Sequence, residues 1–173
     1  MKKGLLMVFT GDGKGKTTSA LGLALRSAGH GLKVCFVQFI KGSWRYGEMV
    51  AVERFAEEID FHVTGRGFTW KSDDIEKDKE AAREAWALAR EAMASGRYHL
   101  VVLDEFTYLL KYGMLETAPV IETLANRPDD LHVAITGRAA PPELLEAADL
   151  VTEMRAVKHP YDAGIQAQKG IEF

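Results

Sequence analysis

The chain holds a single cysteine, Cys35, so no disulfide can close within it. That usage fits a reducing cytoplasm. Cys35 lies in an apolar run and reads as a small core residue rather than a nucleophile. No apolar run approaches the ~20 residues of a membrane span. The start of the chain has no basic region followed by an apolar leader segment. The net charge is only −3, which gives no electrostatic footprint for nucleic acid or a membrane surface. Internal repeats, low-complexity stretches and long linkers are absent. The histidines, His30, His62, His99, His132 and His159, are scattered without metal-ligand spacing. No Ser-His-Asp or Cys-His arrangement declares itself, and no paired acid stands out except near Asp104. Little acid–base machinery is on offer.

What is present is an ordinary globular composition, 47% hydrophobic and 27% charged over 173 residues. That length fits one domain, residues 1–173, with a sizeable core. Short apolar runs alternate with helical patterns, the mark of an α/β domain with a mainly parallel sheet. Strands are expected at 4–9, 32–39, 59–63, 99–104, 131–136 and 149–154. Helices are expected at 16–28, 47–58, 74–95, 106–112, 117–126 and 141–148. The longest helix sets Ile75, Ala82, Trp86, Ala89 and Met93 on one stripe. Ser72, Asp73 or Asp74 can cap its start and Gly96 can end it. Pro141 and Pro142 suit the first turn of the last helix. The expected fold is a single-domain α/β arrangement, a six-stranded, mainly parallel sheet flanked by helices.

The strongest local signal lies at residues 10–18, Thr-Gly-Asp-Gly-Lys-Gly-Lys-Thr-Thr. An apolar strand precedes it and a helical pattern follows. Backbone N–H groups at a helix start point at an anion, and the helix dipole adds favourable charge. Lys16 can reach phosphate oxygens, and the Thr17 hydroxyl can ligate magnesium. The usual pattern has glycine where Thr10 stands, and the glycines alternate instead at Gly11, Gly13 and Gly15. A ligand-free turn does not explain two lysines at a helix start, where the dipole disfavours cations. A dinucleotide site fails on glycine spacing, and on Gln38 standing where an acid for the ribose belongs. The chain therefore handles a nucleoside triphosphate.

Ligands of such sheets bind at the carboxyl ends of the strands. Leu100-Val101-Val102-Leu103-Asp104-Glu105 is an apolar strand ending in two acids. One of them can serve the magnesium ion, directly or through water; otherwise both are solvated strand-end acids. Arg138, in Thr136-Gly137-Arg138, can hold phosphate oxygens by a planar fork of donors, or be a surface arginine. Lys41 and Arg45 can meet an anionic substrate. Phe68 and Trp70 sit in a loop of glycine and charge, a setting for a ligand surface or for rings folded back on the core.

Taken together, several blocks resemble the P-loop ATP:corrinoid adenosyltransferases of cobalamin synthesis and salvage. They are Val8 to Thr18, Gln38-Phe39-Ile40-Lys41-Gly42, Gly67-Phe68-Thr69-Trp70, Val102-Leu103-Asp104-Glu105 and Thr136-Gly137-Arg138. The tail Lys158-His159-Pro160-Tyr161-Asp162-Ala163-Gly164-Ile165 with Ala167-Gln168-Lys169-Gly170-Ile171 completes the set. The blocks stand in family order and cover almost the whole chain.

The resemblance implies that Co(I) of a reduced corrinoid attacks C5′ of ATP, with inorganic triphosphate leaving. Co(I) is itself a potent nucleophile, so the sparse acid–base inventory suits this chemistry. The implied ATP-binding set is Gly11, Asp12, Gly13, Lys14, Gly15, Lys16, Thr17, Thr18 and Arg138. The implied metal ligands for Mg2+ or Mn2+ are Thr17 and Glu105. The implied catalytic residues are Lys16, with Phe68 and Trp70 against the lower corrin face, where they strip the axial ligand and ease reduction of Co(II). A flavoprotein donor such as flavodoxin and a homodimer are implied as well. Two departures stand out. The family commonly has Asn where this chain has Asp12, and a carboxylate there repels triphosphate unless it faces ribose hydroxyls or a cation. Some members carry an N-terminal extension over the site; few residues precede the first strand here, which assigns shielding elsewhere. The competing readings are a small P-loop ATP-dependent kinase or hydrolase, and a nucleotide-switched binding module; the released product separates them.

Overall fold

Strands buried on both faces read as near-continuous apolar runs, and three segments, each apolar up to a polar last residue, are buried from end to end: Leu6–Thr10 (β1), Val34–Gln38 (β2) and Leu100–Asp104 (β4). The computed structural model describes residues 3–40, 46–64 and 75–173. Ile59–Val63 (β3), His132–Thr136 (β5) and Leu150–Glu153 (β6) complete a six-stranded sheet of order β3-β2-β4-β5-β1-β6. Every neighbouring pair is parallel. All six carboxyl ends therefore open on one edge of the sheet, and β5 stands between the glycine-loop strand β1 and the acid-bearing strand β4.

The helices are Lys16–Ala28 (α1), Gly47–Val52 (α2), Ile75–Ala94 (α3), Thr107–Lys111 (α4), Thr117–Ala125 (α5) and Pro142–Ala147 (α6). Alternation along the strands splits the core in two. Met7, Phe9, Phe36, Val102 and Ala134 pack with Ala20, Ala24 and Ala28 of α1. Those alanines recur every fourth residue, and their small size lets the helix lie close on the sheet. Lys16 continues the same buried stripe. On the other face Val8, Val37, Val101, Leu103 and Ile135 meet Trp86, Ala89, Leu109, Val120, Leu124 and Leu144.

Phe106 locks the start of α4 into this second core. Its fully buried ring lies 5.1 Å from Trp86 and 5.0 Å from Phe39. Truncating such a ring costs about 3–5 kcal/mol, so the backbone next to Glu105 has a stiff anchor.

Each expected element appears, mostly trimmed at its ends. The helix expected over 47–58 stops at Val52, and a 3₁₀ turn, Glu53–Phe55, carries the chain toward β3. Ile75 is exposed, unlike the rest of its stripe: it opens α3, one turn before the helix reaches the core at Asp78 and Ala82. Pro141 precedes α6, and Pro142 takes its first position. Gly96 adopts φ 66°, the left-handed turn expected after α3. The expected caps Ser72, Asp73 and Asp74 lie outside the described residues.

Candidate active site

The loop between β1 and α1 is held by glycine geometry. Gly15, immediately before the helix, has φ 117°, which residues with a Cβ rarely adopt. At Gly11, φ is 96°, and a Cβ would sit 2.4 Å from the carbonyl oxygen of Met154. The loop is thus pressed against the end of β6. The Gly13 N–H donates to the Met154 carbonyl at 2.7 Å, so this amide serves the fold, and the phosphate cradle expected of the loop rests on its other donors.

Lys16 is buried. Its Nζ donates to the carbonyl oxygens of Gly11 at 2.8 Å and Gly13 at 2.7 Å. Burial, with a smaller contribution from Arg138, pulls its pKa below that of an ordinary lysine, while Glu105, Asp12 and Asp104 act in the opposite sense. Desolvation outweighs the carboxylates.

Asp104 and Glu105 part company. Asp104 is fully buried. Its Oδ1 accepts the Thr136 hydroxyl at 2.7 Å, and its Oδ2 accepts from Gln38 Nε2 at 3.2 Å. Glu105 lines a cleft of about 950 Å3 together with Asp12 to Thr18 of the loop and Arg138. The loop, one strand-end acid and the arginine expected from sequence therefore converge on one cavity. Gly11 stands behind the loop rather than in the cavity wall. Asp12 is 86% exposed, with Oδ1 4.0 Å from Arg138 Nε, so the departure from asparagine faces a cation. Such an exposed pair adds little stability. Phe68, Trp70, Lys41 and Arg45 lie outside the described residues.

A family model described as ATP:corrinoid adenosyltransferase BtuR/CobO/CobP matches residues 2–173. The chain belongs to this family. It is 49% identical over 172 residues to a corrinoid adenosyltransferase of Pseudomonas aeruginosa, covering 99% of this chain and 85% of that protein. To that of Escherichia coli K12 it is 45% identical, covering 99% of this chain and 87% of the other. To corrinoid adenosyltransferase CobA of Salmonella typhimurium it is 44% identical, with the same coverages. Among the described residues no helix is long and apolar enough to cross a membrane.

The cleft of this adenosyltransferase has walls that sequence reasoning left without a role. Tyr108 and Tyr112, one turn apart on and just after α4, line it with Lys111. Their rings lie parallel, 6.0 Å between centroids. Burial, then the Glu105 charge, raises the Tyr108 pKa. Two tyrosines at helical spacing directly after a strand-end acid pair were the available signal. The tail is the second omission. Gly170, Ile171, Glu172 and Phe173 line the cleft, and Glu172 Oε1 stands 3.7 Å from Lys14 Nζ of the loop. The tail has no apolar period, so no local pattern reports where it docks.

Proposed function

We propose that this chain transfers the 5′-deoxyadenosyl group of ATP to the Co(I) of a reduced corrinoid, using residues 1–173 as one P-loop adenosyltransferase domain. The observation that carries the reading is the convergence of the Lys16 loop, Glu105 and Arg138 on one cleft in a chain of this family. In the reaction the cobalt electron pair attacks C5′. A cobalt–carbon bond forms, the C5′–O bond breaks, and its electrons leave with triphosphate. No side-chain base is required. The protein's task is alignment of cobalt with C5′, exclusion of water and stabilisation of the leaving charge. Lys16 and the loop donors hold the triphosphate. The Arg138 fork, 53% exposed at the cleft rim, can close on its oxygens.

The donor chemistry fits a magnesium or manganese ion. Thr17 and Glu105 both line the cleft, and a hard cation takes one or two hydroxyl or carboxylate oxygens such as theirs plus phosphate and water. When bound, the ion neutralises charge on the departing triphosphate. Phe68 and Trp70 take the lower corrin face and serve reduction of Co(II), by family likeness. A reduced flavoprotein such as flavodoxin supplies the electron, the working unit is a homodimer, and the compartment is the cytoplasm.

The test is product identity. Mixed anaerobically with chemically reduced corrinoid and ATP, the protein is expected to release one triphosphate per corrinoid consumed, read by phosphorus NMR alongside the corrinoid absorbance change. Mainly ADP or orthophosphate would transfer the protein to the kinase or hydrolase reading.

A further inference from the structure

Glu105 has φ 59°, the left-handed region that side chains with a Cβ avoid. Phe106 and Thr136 both hold it there. Phe106 is fixed on its carboxyl side by the core, as described. On its own amide, the Glu105 N–H donates to Thr136 Oγ1 at 2.9 Å. That N–H can only donate, so the hydroxyl must accept there, and its single proton goes to Asp104 Oδ1 at 2.7 Å. The direction of every bond is thereby set. Gln38 closes the network from β2 onto Asp104 Oδ2, and Gln38, Asp104 and Thr136 are all fully buried. Thr136 ends β5, the strand between the loop strand and the acid strand. One residue further along that chain, Gly137 N–H donates to Phe9 of β1, and the carbonyl of Arg138 accepts the Thr107 hydroxyl at 2.7 Å. The tip of β5 is thus tied to both neighbours, and its threonine grips the residue that carries the cleft carboxylate.

We infer that Thr136 is a positioning residue for the metal–nucleotide site: its hydroxyl, oriented by buried Asp104, holds the Glu105 backbone in the left-handed turn that directs this carboxylate to the cleft. The inference rests on the assignment of Glu105 to the metal. Outer partners of this kind govern ligand orientation although they never touch the ion.

The test measures binding rather than turnover. Mn2+ affinity in the presence of ATP, without corrinoid, is read by electron paramagnetic resonance, and ATP affinity without divalent metal by equilibrium dialysis. Thr136→Val is expected to weaken Mn2+ binding about 10- to 100-fold and to leave metal-free ATP binding unchanged. Thr136→Ser, which keeps the hydroxyl, restores Mn2+ binding. In a Glu105→Ala background, Thr136→Val costs nothing further, because the residue it positions is gone. If the valine variant does not fold, Thr136→Ala makes the same comparison against Thr136→Ser. Wild-type Mn2+ binding in folded Thr136→Val, equal losses in the serine variant, or additive losses in the double variant would each overturn the inference. Wild-type Mn2+ binding by Glu105→Ala overturns the metal assignment itself, and the inference with it.

Discussion

Lys16→Ala separates what the lysine does for the fold from what it does for the reaction. In the structure its ammonium makes two short bonds to loop carbonyls, 2.8 and 2.7 Å. Hydrogen bonds of a charged group contribute about 1.5–3 kcal/mol each. Against them stands desolvation of a buried cation, large enough to pull the lysine pKa down. Desolvation outweighs the attractions on the charged form, so the ammonium is not a net anchor of the fold and the variant is expected to melt close to wild type. Turnover has no such offset. Removing a preorganised donor from a developing anion costs about 10²–10³-fold, about 2.7–4 kcal/mol. The assay is kcat/KM for ATP with corrinoid already reduced to Co(I), which isolates the transfer from reduction. Lys16→Arg should not rescue, because a planar fork cannot occupy the space between two carbonyls that holds a point cation. The pH dependence has a definite sign. In the proposed mechanism the cation is the form that binds triphosphate, and its pKa is lowered from 10.5 chiefly by burial, so ATP affinity is expected to fall on the alkaline side earlier than for an ordinary lysine. For folding the sign is opposite: the unfolded chain holds this proton longer, so the stability cost of the buried ammonium fades as pH rises toward 10.5. Unaltered kcat/KM in folded Lys16→Ala, or a loss traced wholly to unfolding, would refute the reasoning.

Glu105→Ala is expected to weaken metal-dependent activity more than Asp104→Asn, whereas Asp104→Asn should lower the melting temperature more, because an amide cannot accept from both Thr136 and Gln38; a metal titration and a melt on both variants check this. Phe68→Ala and Trp70→Ala should lose most activity when Co(II) must be reduced in place by a flavoprotein, and keep much more with Co(I) supplied. Equal loss in both assays would make these rings general substrate contacts. The Cys35 thiol, pushed up to about 12 chiefly by burial and then by Asp60, should resist thiol reagents in the native protein and react on unfolding. Since the folded state keeps this proton and the unfolded state loses it from 9.0 upward, the thiol's share of stability should fall by about 1.4 kcal/mol per pH unit above that value, a slope that denaturant melts can read.

Much of this molecule is written in local pattern. A residue's strand or helix preference, the turn chemistry of glycine and the period of apolar residues act over a few neighbours. The chain alone therefore told where β1 ends to within one residue, that Gly-Lys-Thr opens α1, and that an acid pair stands at the end of β4. It also marked Arg138 as lying beyond the end of a strand. What it did not contain was which of those ends become neighbours. The choice between Asp104 and Glu105 depends on the backbone turning left-handed at Glu105, and that turn is held by Thr136, thirty-one residues away. Thr136 reaches it only because β5 inserts between β1 and β4. Likewise the Gly13 amide is taken by Met154 only because β6 pairs with β1, and Glu172 meets Lys14 only because the tail returns to the cleft that the loop lines. Such contacts join residues far apart in the chain. They follow from strand order and close packing of the whole sheet, on which the identity of near neighbours has no purchase.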